Sequence, residues 1–362
     1  VIDGLDDALI IDTRQYPTRG LQEPENDRVL RGPRDGFSET LIFNTALIRR
    51  RIRDPNLTMS IRSIGTMTKT DVVLCYIKGR ASDQYVKAVS DKLDQIKIKA
   101  LNLGQESLAE LLIHSRWYNP FPKIRYTERP DAAAAMLFEG SIMILCDNTP
   151  AVMILPTSIF DFLQQTDDYY FPPAVGTYLR IIRILIFLST VFLTPIWYLF
   201  IQNPEWIPSW LDFIRVTEEG SVPIIVQLLL VEVLVDGLKL ASLNTPSSLN
   251  NSLSVIGGLI LGDFAIQVGW LGPEVILYMS FVSIANYTQT SYELGYAFKF
   301  MRMLLLILTA IFNLWGLIAG VLIVILLVAT NTTVDGGRSY LYPLIPWNGR
   351  AMKRLLFRVK LK

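Results

Sequence analysis

Residues 303–330 read MLLLILTAIFNLWGLIAGVLIVILLVAT and contain no Asp, Glu, Lys or Arg. An uncharged run of about 20 or more apolar residues can cross the hydrocarbon core of a bilayer as a helix. Gly316 and Gly320 lie four residues apart in this run, and small residues at that spacing let helices pack closely. The stretch therefore predicts a membrane span with a glycine packing face, and it sets the fold class of the chain around it.

The composition divides the chain into two halves. Of the 362 residues, 51% are hydrophobic, and residues 171–334 carry only 15 of the 67 charged side chains. This distribution predicts a polar domain at 1–170, a transmembrane helical domain at 171–334 and a basic tail at 335–362. A net charge of +1 offers no basic domain to nucleic acid. Because the chain starts at Val1 rather than Met, we expect the first domain to be truncated at its N-terminus.

The first domain alternates amphipathic segments with short apolar runs. Hydrophobic spacing and turn residues predict helices at 38–52, 82–98, 107–114 and 157–165, and strands at 1–11, 71–78, 132–138, 141–145 and 151–155. Such a mixture is typical of a small α/β domain with its own core. The predicted fold class is therefore an α/β soluble domain followed by a polytopic all-α transmembrane domain.

Little in the polar domain points to catalysis. Its one histidine is His114, and no nucleotide-binding, hydrolase or metal-ligand motif accompanies it. Cys75 and Cys146 lie in separate apolar runs and are expected to be buried free thiols. We predict that the protein is not an enzyme and that it has no catalytic residue, metal site or cofactor.

The second half contains five apolar segments, at residues 181–201, 222–240, 253–269, 273–286 and 303–330. Arg180 and Arg183 precede the first of them, whereas the loop 202–212 has no Lys or Arg, so the positive-inside rule places the polar domain in the cytoplasm. Segment 273–286 is shorter than the roughly 20 residues of a span and is expected to be re-entrant or interfacial. Four spans plus this segment also leave the basic tail cytoplasmic, where its amphipathic sequence suits an anionic lipid surface.

Residues 253–269, LSVIGGLILGDFAIQVG, place small and polar side chains inside an apolar run. Gly258 and Gly262 form a small-xxx-small face, and Asp263 is costly at membrane depth unless it faces water or a polar partner. We predict that this helix lines an aqueous path between subunits of a homo-oligomer. A tightly packed buried helix, with Asp263 satisfied by a neighbour, is the alternative. The pore-lining candidates are Ser254, Val255, Gly257, Gly258, Leu259, Gly262, Asp263 and Gln267.

Two further carboxylates lie within segment 222–240. Glu232 and Asp236 are four residues apart and therefore share one helix face. Ionisable residues inside a membrane segment are rare and usually functional, which makes this pair a second candidate for attracting cations. Lys239, on the same helix, is the expected partner of Asp236 if the pair is only structural.

Short motifs in both halves resemble the GerA family of spore germination proteins. The motifs are RGPRDGF at 31–37, NTALIRRR at 44–51, DPNL at 54–57, SVIGG at 254–258 and SYEL at 291–294. The resemblance implies a multi-pass protein of the spore inner membrane, with its soluble domain and tail on the core side. It also implies ring-like homo-oligomers that release monovalent cations, together with other membrane subunits of a germination complex. Asp263 departs from the family, in which many members have Gln at this position.

Two other classes of function compete with a channel. The first is a non-conducting scaffold that clusters receptors through the soluble domain. The second is an intramembrane aspartyl protease, because Asp236 and Asp263 lie in neighbouring segments and two carboxylates that share a proton can activate water. The protease motif is incomplete, however, because residue 260 is Ile where that motif has Gly.

Overall fold

The computed structural model describes residues 20–24, 27–29, 31–113, 116–165, 167–216, 221–246, 257–258, 262, 264–289, 291–334 and 340–358. An α/β domain occupies the first part of the chain and a helical region the second. The predicted strand at 1–11 and His114 lie outside the described residues.

The domain is built on a five-stranded antiparallel sheet. Its strands are β1 (Leu57–Ile64), β2 (Thr70–Ile77), β3 (Arg125–Thr127), β4 (Ile142–Cys146) and β5 (Val152–Leu155), in the spatial order β1-β2-β4-β5-β3. Successive residues of a strand point to opposite faces. On β2, Val72 and Leu74 accordingly join one core, and Val73 and Cys75 join the other.

Helices cover both faces of the sheet. They are α1 (Leu41–Arg51), α2 (Asp83–Gln95), α3 (Gln105–Leu112) and α4 (Pro130–Phe138). Val89 of α2 and Leu108 of α3 pack in the core of one face, and Ile48 of α1 and Leu137 of α4 pack in the core of the other. The central strand β4 is consequently buried along its whole length.

Residues 132–138 form a helix, so the prediction of a strand there is wrong. Pro130 occupies the first turn of α4, Asp131 also lies in that turn, and four consecutive alanines follow. Proline fits the first turn of a helix, and alanine is the strongest helix former. Strands β1 and β3 were not predicted, whereas β2, β4 and β5 and helices α1 to α3 are confirmed within a few residues at their ends.

The remaining helices follow residue 163, where a short 3-10 helix (Ile159–Leu163) ends. They are α5 (Asp167–Tyr170), α6 (Pro173–Gln202), α7 (Ile224–Asn244), α8 (Ala265–Gln267), α9 (Pro273–Tyr287), α10 (Tyr292–Ala329) and α11 (Gly349–Leu356). Within the described residues, two helices, α6 and α10, are long and apolar enough to cross a membrane. The helical region thus agrees with a membrane protein, but two such helices are fewer than the four spans expected from the sequence.

Helix α10 is not a single straight span, because its chain reverses direction at Asn313. The backbone there has φ 54° and ψ −134°. A Cβ atom added to Gly316 would lie 1.8 Å from the Leu308 carbonyl oxygen, and one added to Gly320 would lie 2.6 Å from Leu305 Cδ2. In a continuous helix, residues 305 and 320 would be about 22 Å apart. The predicted glycine packing face is therefore confirmed, but it packs against the preceding arm of its own helix.

Side-chain amides fix this reversal. Asn203 Nδ2 donates to Asn313 Oδ1 at 2.8 Å, and Asn313 Nδ2 donates back to Asn203 Oδ1 at 3.1 Å. Asn313 Oδ1 also accepts from the Leu314 N–H at 2.7 Å. This combination of φ and ψ lies outside the left-handed helical region and is strained for a residue with a Cβ atom, so the bonds of the Asn313 side chain help to hold it. The first arm (292–312) and the second arm (314–329) are thus antiparallel neighbours.

The helical region has a near end beside the α/β domain and a far end. Helix α6 starts at the near end, where Gly176 contacts the Asp168 backbone, and finishes at the far end with Asn203. The second arm of α10 returns to the near end, where Asn119 Nδ2 donates to Leu327 O at 3.0 Å and Lys92 Nζ to Val334 O at 2.6 Å.

A shared apolar core joins the two parts. Phe121 and Phe162 of the domain pack in one cluster with Phe298 and Leu305 of the first arm of α10. Tyr340, which follows the second arm, is 1% exposed and donates its hydroxyl hydrogen to Pro122 O at 2.8 Å. The domain is therefore docked on the helices by core packing rather than tethered by a linker.

Candidate functional site

Four of the predicted pore-lining residues are described, namely Gly257, Gly258, Gly262 and Gln267. Ser254, Val255, Leu259 and Asp263 lie outside the described residues. Residues on either side of this segment lie at opposite ends of the helical region: Lys239 packs over Tyr287 at the near end, whereas the Ser221 N–H bonds the Gly269 carbonyl at the far end. The chain accordingly changes ends between α7 and Gly269.

The glycines of this segment meet different surroundings. A Cβ atom on Gly257 would lie 2.8 Å from Leu238 Cδ2 of α7. Cβ atoms on Gly258 and Gly262 would have none of the described atoms within 4 Å. Gly258 and Gln267 are both exposed. One side of the segment thus packs on α7, and the side that carries Gly258 is left uncovered by the described part of its own chain.

An ionic cluster joins three helices near their midpoints. Arg302 of α10 donates from Nε to Glu232 Oε1 of α7 at 2.6 Å and from Nη1 to the Thr190 carbonyl of α6 at 2.6 Å. Lys299 Nζ donates to the Glu232 carbonyl oxygen at 2.9 Å and lies 3.5 Å from Glu232 Oε2. Glu232 and Arg302 are 3% and 2% exposed, so both charges are buried inside one chain.

Asp236 binds Lys299 rather than Lys239, its expected partner. Lys299 Nζ forms an ion pair with Asp236 Oδ2, and Asp236 Oδ1 has no hydrogen-bond donor among the described residues. Lys239 Nζ instead lies 4.8 Å from the ring centroid of Tyr287 and 5.6 Å from that of Tyr296. Aromatic faces attract cations at such distances. The prediction that Lys239 neutralises Asp236 is therefore wrong.

Asp168 organises the joint between the domain and α6. It is fully buried, and its carboxylate accepts from Arg180 Nε at 3.2 Å and from Arg183 Nη1 at 2.8 Å. Arg180 Nη1 also donates to the Arg354 carbonyl at 2.6 Å, which fastens α11 to the same place. The C-terminal helix and the domain therefore lie at the same end of the helical region.

Tyr170, at the end of α5, extends this joint to α4. Its hydroxyl donates to Asp131 Oδ2 at 2.7 Å, and Asp131 also accepts from Arg129 Nη2 at 2.6 Å. Burial, together with the neighbouring carboxylate, raises the pKa of Tyr170 to about 12. Burial alone would raise the pKa of Asp131, but the hydrogen bonds from Arg129 and Tyr170 outweigh it and lower that pKa. The tyrosine thus stays protonated and the carboxylate charged at neutral pH.

A known protein family matches the chain along its whole length. The profile of the family described as Bacillus/Clostridium GerA spore germination protein matches residues 1–362. The chain belongs to the GerA family. Membership confirms the resemblance carried by the short motifs, and it places the chain among germination proteins rather than in an enzyme family.

Curated GerA relatives match nearly the whole chain. Stage V sporulation protein AF of Bacillus subtilis is 39% identical over 99% of this chain and 72% of its own length. Spore germination protein KA of the same organism is 32% identical over 99% of this chain and 65% of its own length. Spore germination protein A1 is 31% identical over 89% of this chain and 67% of its own length. About a third of these relatives' length therefore has no counterpart here.

A solved GerA structure also matches part of the chain. It is the N-terminal domain of the A subunit of the Bacillus megaterium spore germinant receptor GerK3, and it is 40% identical. The match covers 33% of this chain and 94% of that chain, with a TM-score of 0.27.

Lys299 and Arg302 are buried charged residues that the sequence analysis missed. They stand just before the uncharged run and outside the five predicted apolar segments. The signal was nevertheless present, since two cations near a predicted span and two carboxylates inside another suggest mutual neutralisation. Asn313 was missed in a similar way, although 28 residues would make a helix of about 42 Å, longer than the roughly 30 Å hydrocarbon core.

Proposed function

We propose that this GerA protein is a membrane subunit of the spore germination apparatus that forms an oligomeric channel for monovalent cations. It either releases ions itself during germination or amplifies the signal of a germinant receptor, in company with other membrane subunits. Residues 253–267 form its pore helix, placed in the spore inner membrane. The observation that carries the proposal is that Cβ atoms on Gly258 and Gly262, four residues apart, would meet none of the described atoms within 4 Å.

The surroundings of that face support contact between subunits. An uncovered glycine face lets a second backbone approach closely, which is how small-xxx-small motifs join membrane helices. Gln267, exposed at the far end, supplies a polar group that a lipid-facing surface would not favour. Several copies joined through this face, which Ser254 shares, would surround an axis on the other side of the helix, where Asp263 and Gln267 lie about 140° and 180° from Gly258, with Val255 and Leu259 as a hydrophobic constriction.

Of the two carboxylates on α7, Asp236 is the stronger candidate for attracting cations. The Glu232 carboxylate is buried between helices of the same chain, where Arg302 and Lys299 neutralise it. The Asp236 side chain is 30% exposed, and its Oδ1, which is itself buried, has no donor among the described residues. A partly free carboxylate at membrane depth suits a cation path better than a fully paired one.

The directions of the helices support six crossings in place of the four expected. Helices α6, α7 and α9 and the two arms of α10 each run between the near and far ends, and the chain changes ends once more between α7 and Gly269. An even number of crossings keeps the domain and the basic tail on one side. This side is the spore core by the positive-inside rule, since Arg180, Arg183 and the tail all lie there.

Potassium efflux from liposomes that contain the purified protein tests the proposal. Wild-type protein should release potassium, and Gly258→Leu should reduce the rate at least about tenfold, because a bulky side chain obstructs subunit packing and the path. Gly237→Leu is the matched control: Gly237 is also exposed, and a Cβ atom there has no described atom within 4 Å. Equal efflux from all three proteins would remove this helix from the pore.

The same assay separates the alternatives. A scaffold that only clusters receptors would give no efflux in any variant while keeping its subunit contacts. An intramembrane aspartyl protease would need Asp236 to share a proton with a second carboxylate, but Asp236 is bound to Lys299. Membership of a germination family also speaks against peptide hydrolysis.

A further inference from the structure

A cavity of about 370 Å³ lies where the α/β domain meets the helices. Its polar wall comes from Asp27–Val29, from β3 and from the start of α5, and its apolar wall comes from α6. The end of α9 closes one side with Tyr287 and Gln289. Sites at domain boundaries that combine an apolar wall with a few polar groups commonly bind ligands.

The polar wall is rich in arginine. Four arginines line it, against two aspartates. Arg129 and Arg183 are paired with Asp131 and Asp168. Among the described residues, Arg125 donates to the backbone carbonyls of Asp161 at 2.6 Å and Gln164 at 3.0 Å and to no carboxylate.

Three further groups define what the polar wall can accept. Arg28 is exposed and has no hydrogen-bond or ion-pair partner among the described residues. Gln289 Nε2 is buried and also lacks an acceptor there. Asp27 is already engaged, since its Oδ2 accepts from Thr127 Oγ1 at 2.8 Å. Arg28 and Gln289 therefore provide hydrogen-bond donors at this wall, and an anion would supply their acceptors.

The apolar wall is a continuous stripe. Leu179, Ile182 and Ile186 are spaced three and four residues apart and so share one face of α6. They lie in the N-terminal half of α6, the first candidate span, on the side that faces the α/β domain. A free anion would leave this apolar stripe uncovered, whereas the acyl chain of a lipid would pack against it.

We propose that this cavity binds an anionic phospholipid, with the phosphate between Arg28 and Arg125 and an acyl chain along the α6 stripe. Guanidinium groups bind phosphate through paired, charge-assisted hydrogen bonds. The lipid would contact the domain, α6 and the end of α9 together. Membrane composition would thereby affect how the domain packs on the helices. The proposal does not depend on the proposed channel, since lipid binding is measured without ion flux.

Lipid binding to the full-length protein in detergent, followed by native mass spectrometry, tests this site. Phosphatidylglycerol should bind more tightly than phosphatidylcholine, and Arg28→Ala should weaken phosphatidylglycerol about tenfold, the effect of one charge-assisted hydrogen bond. Arg34→Ala is the matched control, because Arg34 is an exposed arginine of the same stretch that does not line the cavity. Arg28 makes no internal bond, so its variant should fold. Equal affinities in Arg28→Ala and wild type would overturn the proposal.

A second pair of variants tests the acyl chain. Ile182→Asn should weaken phosphatidylglycerol about tenfold, whereas Leu185→Asn should not, because Leu185 is exposed and does not line the cavity. Glycerol 3-phosphate, which has the phosphate but no chain, should bind far more weakly than the lipid. Equal binding of glycerol 3-phosphate and phosphatidylglycerol would mean a site for free phosphate esters and would contradict a lipid site.

Discussion

At the scale of single residues, the buried charges of Glu232, Lys299 and Arg302 determine how α6, α7 and α10 meet. Each charge would be costly alone at membrane depth, and together they neutralise one another and satisfy the Thr190 carbonyl. A buried ion pair contributes little net stability compared with an apolar pair, but removing one partner leaves an uncompensated charge. The cluster is therefore sensitive to loss of any member.

Replacing Glu232 by Gln should lower the free energy of unfolding by about 3–5 kcal/mol, because Lys299 and Arg302 would lose a buried counter-ion. Asp212→Asn is the control: Asp212 pairs with Arg215 at 2.8 Å with both side chains about half exposed, so its loss should cost about 0–1 kcal/mol. Equilibrium unfolding in mixed detergent micelles measures both. Equal losses would show that the cluster does not hold the helices together.

The two cysteines make a prediction that depends on pH. Burial raises the pKa of Cys75 and of Cys146 to about 12. Both thiols therefore stay protonated in the folded protein well above neutrality, and the thiolate is the reactive form. Iodoacetamide at about pH 8 should label neither cysteine until denaturant is added, when their pKa values fall towards about 8.5. Rapid labelling of either residue in the native protein, read by peptide mass spectrometry, would contradict this burial.

At the scale of elements, the reversal within α10 is the feature that shapes the helical region. The second arm lies against the first because Gly316 and Gly320 have no side chain to hold them apart. The first arm begins beside α9, and the second arm finishes against the α/β domain. The hairpin thus returns the chain to the near end, and α11 can be fastened to α6 there.

Replacing Gly316 by Ala should destabilise the protein by about 1–3 kcal/mol, since the new Cβ atom would overlap the Leu308 carbonyl oxygen and force the arms apart. Gly237→Ala in α7 meets open space and should be neutral or stabilising by up to about 1 kcal/mol, because alanine favours a helix more than glycine does. Thermal unfolding in detergent compares the two variants. A stabilising effect of Gly316→Ala would mean that α10 is a straight helix.

At the scale of the whole molecule, the sequence predicts the parts better than their arrangement. Continuous hydrophobic runs are enough to predict β2 and β4, which are buried on both faces, and hydrophobic spacing is enough for most helices, which bury one face. The sequence analysis misassigns residues 132–138, where consecutive alanines show no helical periodicity, and it overlooks β1, although Leu57, Met59 and Ile61 alternate with polar residues there. Local patterns cannot show that Glu232 meets Arg302, 70 residues away, because long-range pairing depends on how helices pack.

The sequence is enough to propose a candidate site but not to give its contacts. Glycines and polar residues inside an apolar run single out segment 253–267 as the proposed pore helix, and a Cβ atom on Gly258 would meet none of the described atoms within 4 Å. The pairing of Asp236 with Lys299 needed the structure, since Lys239 on the same helix looked equally suitable. Charges one helical turn apart compete with charges on other helices, and only packing decides between them.

The most direct test of the account is cross-linking between copies through Gly258. Gly258→Cys protein in native membranes, treated with a short bis-maleimide linker, should give covalent oligomers on a denaturing gel, because the proposed channel has its subunit contact at this face. Gly237→Cys should stay monomeric, and wild-type protein should not react, since Cys75 and Cys146 are buried. A Gly258→Cys protein that remains monomeric while Gly237→Cys cross-links would place the subunit contact elsewhere and contradict the proposed pore.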